Sequence, residues 1–592
     1  MAPFPKNQSE DIPWRIPLLC TCMSLALYTI TGLPDIHWQD TGEFISAAAN
    51  VSLTHPPGHP LTLLTLFIAQ QLPWGDLAWR SAWMSGMWVS FAVWWTYILI
   101  WYLHDPSMNR VHTSTRSEII TRIFNSASGA LLLPLLPLVW LQGIRPEVYA
   151  AQLGLTAFIL GVTLLIQHQP KSHNYRLILM YFALGCLCIN HTLLALCIIL
   201  PVGIFTVPFV LSSKVTIRCI TAFISPLSLY SIIWIRGTRG NSEAWGWIDT
   251  LPSLTRFILG IEWTEKINAR FPEVDIHQNL SLFFSYLHSQ IGGAGMIGLA
   301  LALSVGAFTL PRRNSRFWTG LTTAAQGRLL GWLILLSTCI VLCLLTKLCY
   351  PFNPINPDFS GYLSIATPAT LGLLLLILRA APPYTFALLC CLSIISPINQ
   401  IRSDHRAENG SAARWGRSLM SEVPPRGLLI LSNYESFFIA SALKATEGWR
   451  NDITLVFRGH QQRPWYLNRL TLSSSWWAKR ALVPAELYSP YLRLEYPTKL
   501  HPLSELDHYT VPVGLSYALN SWSQSPTLSS LKAKYSFARG TRPLDREGSY
   551  AWALYHQISM DLPNIQQRSG LVKLHQEKLM IELELITHQS ND

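Results

Sequence analysis

Long apolar runs separated by short polar ones dominate the first 400 residues of the chain. A membrane-crossing helix needs about 20 mostly apolar residues. About eleven segments approach that pattern: 16–33, 82–103, 126–143, 147–167, 176–190, 192–211, 217–236, 288–310, 328–350, 362–380 and 383–402. Those between 126 and 211 are short and closely spaced. The first is polar at its ends and has no small-residue cleavage site, so it reads as a span and not as a removed signal peptide. "HPLTLLTLFIAQQLP" is amphipathic and reads as a helix lying in the interface. The pattern predicts a mainly α, polytopic membrane bundle over 1–402.

After residue 403 the pattern changes. Charged residues become frequent and no window is apolar enough to span. "RGLLILSN" reads as a buried strand, "ESFFIASALKATEG" as a helix ending at Gly448, and "DITLVFRG" as a second strand. Strand, helix and strand in succession predict a soluble α/β domain over 403–592. "LVKLHQEKLMIELELITH" near the end reads as an amphipathic helix. A polar, Trp-rich stretch at about 237–287 is expected to rest on the membrane surface.

Composition agrees with the pattern. Of 592 residues, 50% are hydrophobic and 13% are Asp, Glu, Lys or Arg, with mean hydropathy +0.27. Soluble domains carry roughly 25% charged residues, so a disordered chain, a coiled coil and a simple soluble enzyme are excluded. The net charge is +11. The basic residues stand singly between apolar segments, where they act as topology signals and not as a nucleic-acid face. Lys6, Arg15, Arg110, Arg116, Arg122, Lys171, Arg176, Lys214, Arg218, Arg312, Arg313, Arg316 and Arg328 fall in one set of loops. The positive-inside rule makes those loops cytoplasmic. The N-terminus is then inside, and an odd number of spans puts the C-terminal domain outside, periplasmic if the membrane is a bacterial inner membrane. All eleven cysteines precede residue 392, in or beside apolar segments. Buried thiols are expected, with no disulfide framework and no zinc site.

Candidate chemistry concentrates in the first outer loop, about 34–81. Asp40 and Glu43 are three residues apart, on one face of a helix if one begins there. A carboxylate just above the membrane surface can act as general base toward a hydroxyl. The same pair can instead be a helix cap, with Asp40 at N-cap and Glu43 at N3; the two readings are compatible. "HPPGHPL" follows, a rigid turn in which His55 and His59 flank Gly58; a histidine there can touch a phosphate or acceptor. Arg145 and Glu147 sit at the end of a helix hairpin, where ionisable groups need partners or work. They form either an internal pair or part of a site. Asn190 and His191, in the next outer turn, read as structural. Arg236 and Arg239 end the seventh span, suited either to a lipid-linked phosphate or to interfacial snorkelling. Asp358 and Tyr362 point from a Pro- and Asn-rich loop toward the same face. No Walker loop, H-E-x-x-H, C-x-x-C or G-x-S-x-G is present.

Three motifs in order carry a resemblance: Asp40–Phe44 (D-T-G-E-F), His55–Leu61 (H-P-P-G-H-P-L) and Pro73–Arg80 (P-W-G-D-L-A-W-R). With "RPEVYA" and the stretch 423–457, which includes an E-G-x-R-x-D element, they resemble a family of multi-pass membrane proteins. That family includes the animal transmembrane O-mannosyltransferase acting on plexins. One departure is Asn433, where the family often has Asp; it argues against a catalytic role for the tail. The resemblance implies a GT-C-like fold and transfer of a sugar, mannose or similar, from a polyprenyl-phosphate carrier. The acceptor hydroxyl belongs to a protein Ser/Thr or a glycan. The resemblance puts the catalytic carboxylate at Asp40, with Glu43 as the second. Arg145, Arg236 or Arg239 then holds the donor phosphate, and His55, His59, Glu147, Asp358 and Tyr362 line the substrate site. The resemblance calls for no nucleotide site and makes no cofactor certain; a divalent cation is left open. The rival classes are a transporter or flippase of lipid-linked sugar, which tends to show inverted repeats that are not evident here, and a non-catalytic scaffold.

Overall fold

The computed structural model describes residues 12–32, 34–104, 115–168, 173–210, 213–239, 244–261, 275–319, 323–348, 357–378, 381–408, 410–431, 433–460, 463, 465, 466, 469, 492–495, 510–513 and 516–519. Helices dominate. In chain order they are α1 (Arg15–Thr31), α2 (Thr41–Ala49), α3 (Pro60–Gln70), α4 (Leu77–Leu103), α5 (Arg116–Leu135), α6 (Pro137–Gly143), α7 (Val148–His168), α8 (His173–Asn190) and α9 (Thr192–Val210). Then follow α10 (Ser213–Ile224), α11 (Tyr230–Arg236), α12 (Leu251–Ile258), α13 (Ile276–Thr319), α14 (Thr323–Leu348), α15 (Pro357–Ser364) and α16 (Thr367–Leu378). The last are α17 (Thr385–Leu392), α18 (Ile395–Glu408), α19 (Ser411–Ser421) and α20 (Tyr434–Glu447).

The expected apolar segments fall on helix, with a non-helical break at Gly292 (φ 68°, ψ 172°) inside α13. Among the described residues, five helical segments are long and apolar enough to cross a membrane, and up to seven if each bent pair counts as one. Several of the apolar segments are bent or short. Between α5 and α6 the axis turns by 65° at the Leu136–Pro137 junction, where Pro137 lacks the N–H that would continue the ladder. Between α15 and α16 it turns by 49°. Arg15–Thr31, Asn174–Asn190 and Thr192–Val207 are apolar but shorter. Helix α4 starts five residues before its expected boundary, because Asp76 caps it by accepting from Trp79 N at 2.7 Å. A large apolar core runs between α1, α4, α5, α7 and α8. Ten cysteines are described, all free; Cys22 and Cys391 are exposed and not buried as expected.

Beyond α19 lies the expected strand–helix–strand unit. Strand β1 (Leu428–Leu431) pairs in parallel with β2 (Thr454–Phe457), and α20 connects them. Three further strands, β3 (Leu492–Glu495), β4 (Thr510–Val513) and β5 (Ser516–Leu519), complete a mixed sheet of order β2-β1-β3-β5-β4. Helix α20 is capped by Asn433, whose side chain accepts from Glu435 N at 3.1 Å, and ends at Gly448 with φ +65°, a left-handed residue that glycine adopts without strain. The amphipathic segment near 571–588 lies outside the described residues.

The α/β unit is packed onto the first loop of the chain. A Cβ on Gly42 would lie 2.5 Å from the Phe438 carbonyl oxygen, so α2 and α20 meet backbone against backbone. Trp38 donates to Ser411 Oγ at 2.8 Å, and Arg417 bridges Asp35 at 3.3 Å and Glu447 at 2.6 Å. In the Trp-rich second loop, α12 keeps Phe257 buried while Leu251 and Leu259 stay exposed.

Candidate active site

Asp40 stands at the N-cap position of α2, yet its side chain makes no capping bond. Its φ of −74° and ψ of −3° are already helical, whereas a capping side chain works from an extended backbone. Glu43 is not a capping partner either. It is 2% exposed, and its two oxygens accept from His55: Oε1 from the backbone N–H at 2.6 Å, Oε2 from ring Nδ1 at 2.7 Å. The expected capping box is therefore absent, and Asp40 is left half-buried with its carboxylate uncommitted.

The H-P-P-G turn brings the histidines back onto α2. Gly58 has φ +89°, and a Cβ there would lie 2.4 Å from Ile233 Cδ1. His59 follows in the left-handed region, φ +43° and ψ +52°, uncommon for a residue with a Cβ. That conformation aims its Nδ1 at the Asn190 carbonyl oxygen, 2.6 Å away, and its Nε2 at His55 Nε2, 3.3 Å away.

A second set of charges closes over the first. Arg145 is 2% exposed and reaches Asp358 at 2.9 Å and Glu147 at 3.3 Å. Its Nε and Nη1 are buried without a hydrogen-bond partner. Tyr362 lies one turn beyond Asp358 on α15 and meets His191 Nε2 at 3.1 Å. Four carboxylates thus share the site with His55 and Arg145.

That balance sets the protonation of the first loop. Burial pushes the Asp40 carboxyl up, to about 7; Asp358 and Glu43 add to the rise, and His55 and Arg145 oppose it. For His55, burial alone favours the neutral ring. The Glu43 charge and hydrogen bond, with Asp40 and Glu147, outweigh it and raise the ring to about 10. His59 is held well below its usual range by burial and by His55 and His191 beside it. Ligand atoms of Asp40, Glu43 and His55 all lie within 4.8 Å of one another. Both Glu43 oxygens are already within hydrogen-bonding distance of His55, so we do not assign the trio as a set of metal ligands.

Of the residues expected from sequence, Asp40, Glu43, His55, His59, Arg145, Glu147, Asp358 and Tyr362 come together. Arg236 and Arg239 do not join them. Arg236 ties down the end of α2, giving Nε to the Val51 carbonyl at 2.6 Å and Nη2 to the Asn50 carbonyl at 3.1 Å. Arg239 is exposed, and its carbonyl accepts from Arg469 at 3.2 Å. Sequence reasoning missed Trp245, whose ring centroid lies 6.1 Å from that of His55 and which stacks on Tyr434 at 6.0 Å. Its place in a Trp-rich loop was the only signal.

A helical membrane bundle with a buried acidic site beside an α/β unit defines the class, a GT-C-like fold. The apo crystal structure of ArnT from Cupriavidus metallidurans shares it, with a TM-score of 0.50 at 10% identity, over 85% of this chain and 97% of that one. The oligosaccharyltransferase of Archaeoglobus fulgidus aligns with a TM-score of 0.45 at 10% identity, over 82% of this chain and 69% of that one. Within the class, residues 40–216 match the family described as the protein O-mannosyl-transferase TMEM260 N-terminal domain. The mouse (Mus musculus) protein O-mannosyl-transferase TMEM260 is 25% identical over 202 residues, 32% of this chain. The match covers about a quarter of that relative, 26% of its length.

Proposed function

We propose that this protein is an inverting membrane glycosyltransferase that moves a sugar, mannose or a similar hexose, from a polyprenyl-phosphate carrier to an acceptor hydroxyl. The acceptor is a protein Ser/Thr or a glycan. The reaction face is the non-cytoplasmic side of the membrane, the periplasmic side if the source is bacterial, with the N-terminus in the cytoplasm. The observation that carries the reading is Asp40, a half-buried carboxylate held between His55 and Arg145 and spent on no structural bond.

In this reading Asp40 takes the proton of the acceptor hydroxyl as its oxygen bonds to the anomeric carbon. The bond from that carbon to the carrier phosphate breaks, and its electron pair leaves with the phosphate. A base near its ordinary working pH suits this step, since it is both ionised and able to hold a proton. Arg145 stabilises the departing phosphate with the N–H groups that meet no partner in the protein. Asp358 and Glu147 hold the guanidinium in place, and Tyr362 borders the acceptor side. No nucleotide site is needed.

The experiment is carrier release by purified protein supplied with a panel of polyprenyl-phosphate sugars. Asp40→Asn, folded and inserted, is expected to lose about 10²–10⁴-fold in rate, the usual share of base catalysis. A wild-type rate in that variant would reject the assignment. Sugar-lipid flux across reconstituted vesicles without covalent transfer would instead support a transporter.

A further inference from the structure

Hydrogen positions around the histidine pair follow from which neighbours can only accept. The Asn190 carbonyl lies 2.6 Å from His59 Nδ1, so that nitrogen carries hydrogen. His59 is buried and disfavours charge, which leaves its Nε2 a bare lone pair. The facing Nε2 of His55, 3.3 Å away, is then the donor. On the other side of that ring the His55 backbone N–H donates to Glu43 Oε1 at 2.6 Å, and ring Nδ1 lies 2.7 Å from Oε2. A 2.7 Å contact to an acid only 2% exposed has the length of a charge-assisted N–H···O bond, so we place hydrogen on Nδ1 too. An imidazole protonated on both nitrogens is a cation.

We propose that His55 is the built-in cation of this site, a doubly hydrogen-bonded imidazolium standing where a divalent metal would otherwise bridge Asp40 and Glu43, and keeping Asp40 ready to accept a proton. The proposal rests on Asp40 being the base. His59 acts through His55 and is a positioning residue. It is itself set by Asn190, whose side chain donates to the Val148 carbonyl at 2.9 Å and to Gln152 Oε1 at 3.0 Å, and accepts from Thr62. The titratable and charged groups facing Asp40 and His55 are Glu43 on α2, His59 before α3, Arg145 and Glu147 before α7, Tyr149 on α7, His191 between α8 and α9, and Asp358 and Tyr362 on α15. Among the described residues, Arg145 is then the only permanent cation acting on Asp40 besides His55, and it is already bonded to Asp358 and close to Glu147.

The test is the pH dependence of kcat/KM for sugar transfer by the full chain, with and without a chelator, in wild type, His55→Gln, His59→Leu and Asp40→Asn. The wild-type rate is expected to survive chelation. In His55→Gln the acidic limb should move up by about one pH unit or more, a loss of about tenfold near pH 6.5 that shrinks toward pH 8.5. Added Mg²⁺ or Mn²⁺ should recover part of it, by entering the gap between the two carboxylates. His59→Leu should move the limb less, in the same direction. A wild-type rate abolished by chelation, or an unmoved limb in folded His55→Gln, overturns the proposal. Asp40→Asn separates the two ideas: an active variant sinks the base, whereas an inactive one beside an unmoved His55→Gln limb sinks only the imidazolium. If His55→Gln does not fold, ¹⁵N-histidine spectra of wild type at pH 8 decide. One ring protonated on both nitrogens is expected, and its absence overturns the proposal.

Discussion

Asp40 and Asp358 carry the same side chain in one site and meet opposite surroundings. Asp358 is bonded to Arg145 at 2.9 Å, whereas Asp40 keeps its oxygens free of hydrogen bonds and is lifted to about 7, first by burial. The ionised form is the base, so activity should fall as pH drops below about 7 and level off above it. A pH profile of kcat/KM checks this, and an acidic limb near pH 4 would mean an Asp40 solvated like a surface carboxylate. Arg145 yields a prediction about stability. Arg145→Met leaves buried Glu147 and half-buried Asp358 without their shared cation. Removing one partner from such a cluster costs about 3–5 kcal/mol, which a thermal-unfolding shift in detergent would read. A shift of less than a degree would show that the guanidinium adds nothing to the fold.

At the scale of elements, the sequence motifs divide into chemistry and carpentry. Asp40, Glu43, His55 and His59 enter the site. Gly42, inside the same D-T-G-E, instead allows α2 to lie against α20, where a Cβ would meet the Phe438 carbonyl at 2.5 Å. Arg80, which closes the third motif, binds the α3–α4 turn through the Gln70, Leu72, Asp76 and Gly75 carbonyls. In E-G-x-R-x-D, Glu447 pairs with Arg417, Gly448 ends α20, and Arg450 reaches the Met420, Val423 and Pro424 carbonyls and Asp452. Periodicity made the helices and the β1–α20–β2 unit legible, because each follows from local pattern. Spacing could not show that Glu43 turns to His55 instead of capping α2, since that contact depends on a turn twelve residues on. Nor could it tell Arg145 from Arg236: both end apolar segments, but one meets carboxylates and the other the spare carbonyls of α2. Gly42→Ala is expected to force α2 off α20 at a cost of about 1–3 kcal/mol and to lower activity with the site residues intact. Equal melting temperature and rate in Gly42→Ala would mean the two helices can part freely.

For the whole molecule, the decisive feature is an apolar core that runs across residue 403. One apolar cluster joins Ile36, Trp38, Ile45 and Leu53 from the first loop with Ile233 of α11, with Trp245 and Phe257 from the second loop, and with Trp415, Leu429, Phe437 and Val456 of the α/β unit. Trp38 and Trp415 have ring centroids 6.3 Å apart, and the Trp38 indole N–H ends on Ser411. A domain able to fold alone keeps its own core; this unit shares its core with the two loops that carry and cover the site. The position of Asp40 is then fixed by α20 as much as by the membrane helices. A fragment beginning at Gly410 would expose the face that Trp38, Ile45 and Gly42 cover, so it should unfold without a cooperative thermal transition and bind a hydrophobic dye, while the intact chain melts in one step. A sharp, reversible melt of that fragment, followed by circular dichroism, would mean that the unit only rests on the loops and that Asp40 is placed by the membrane helices alone.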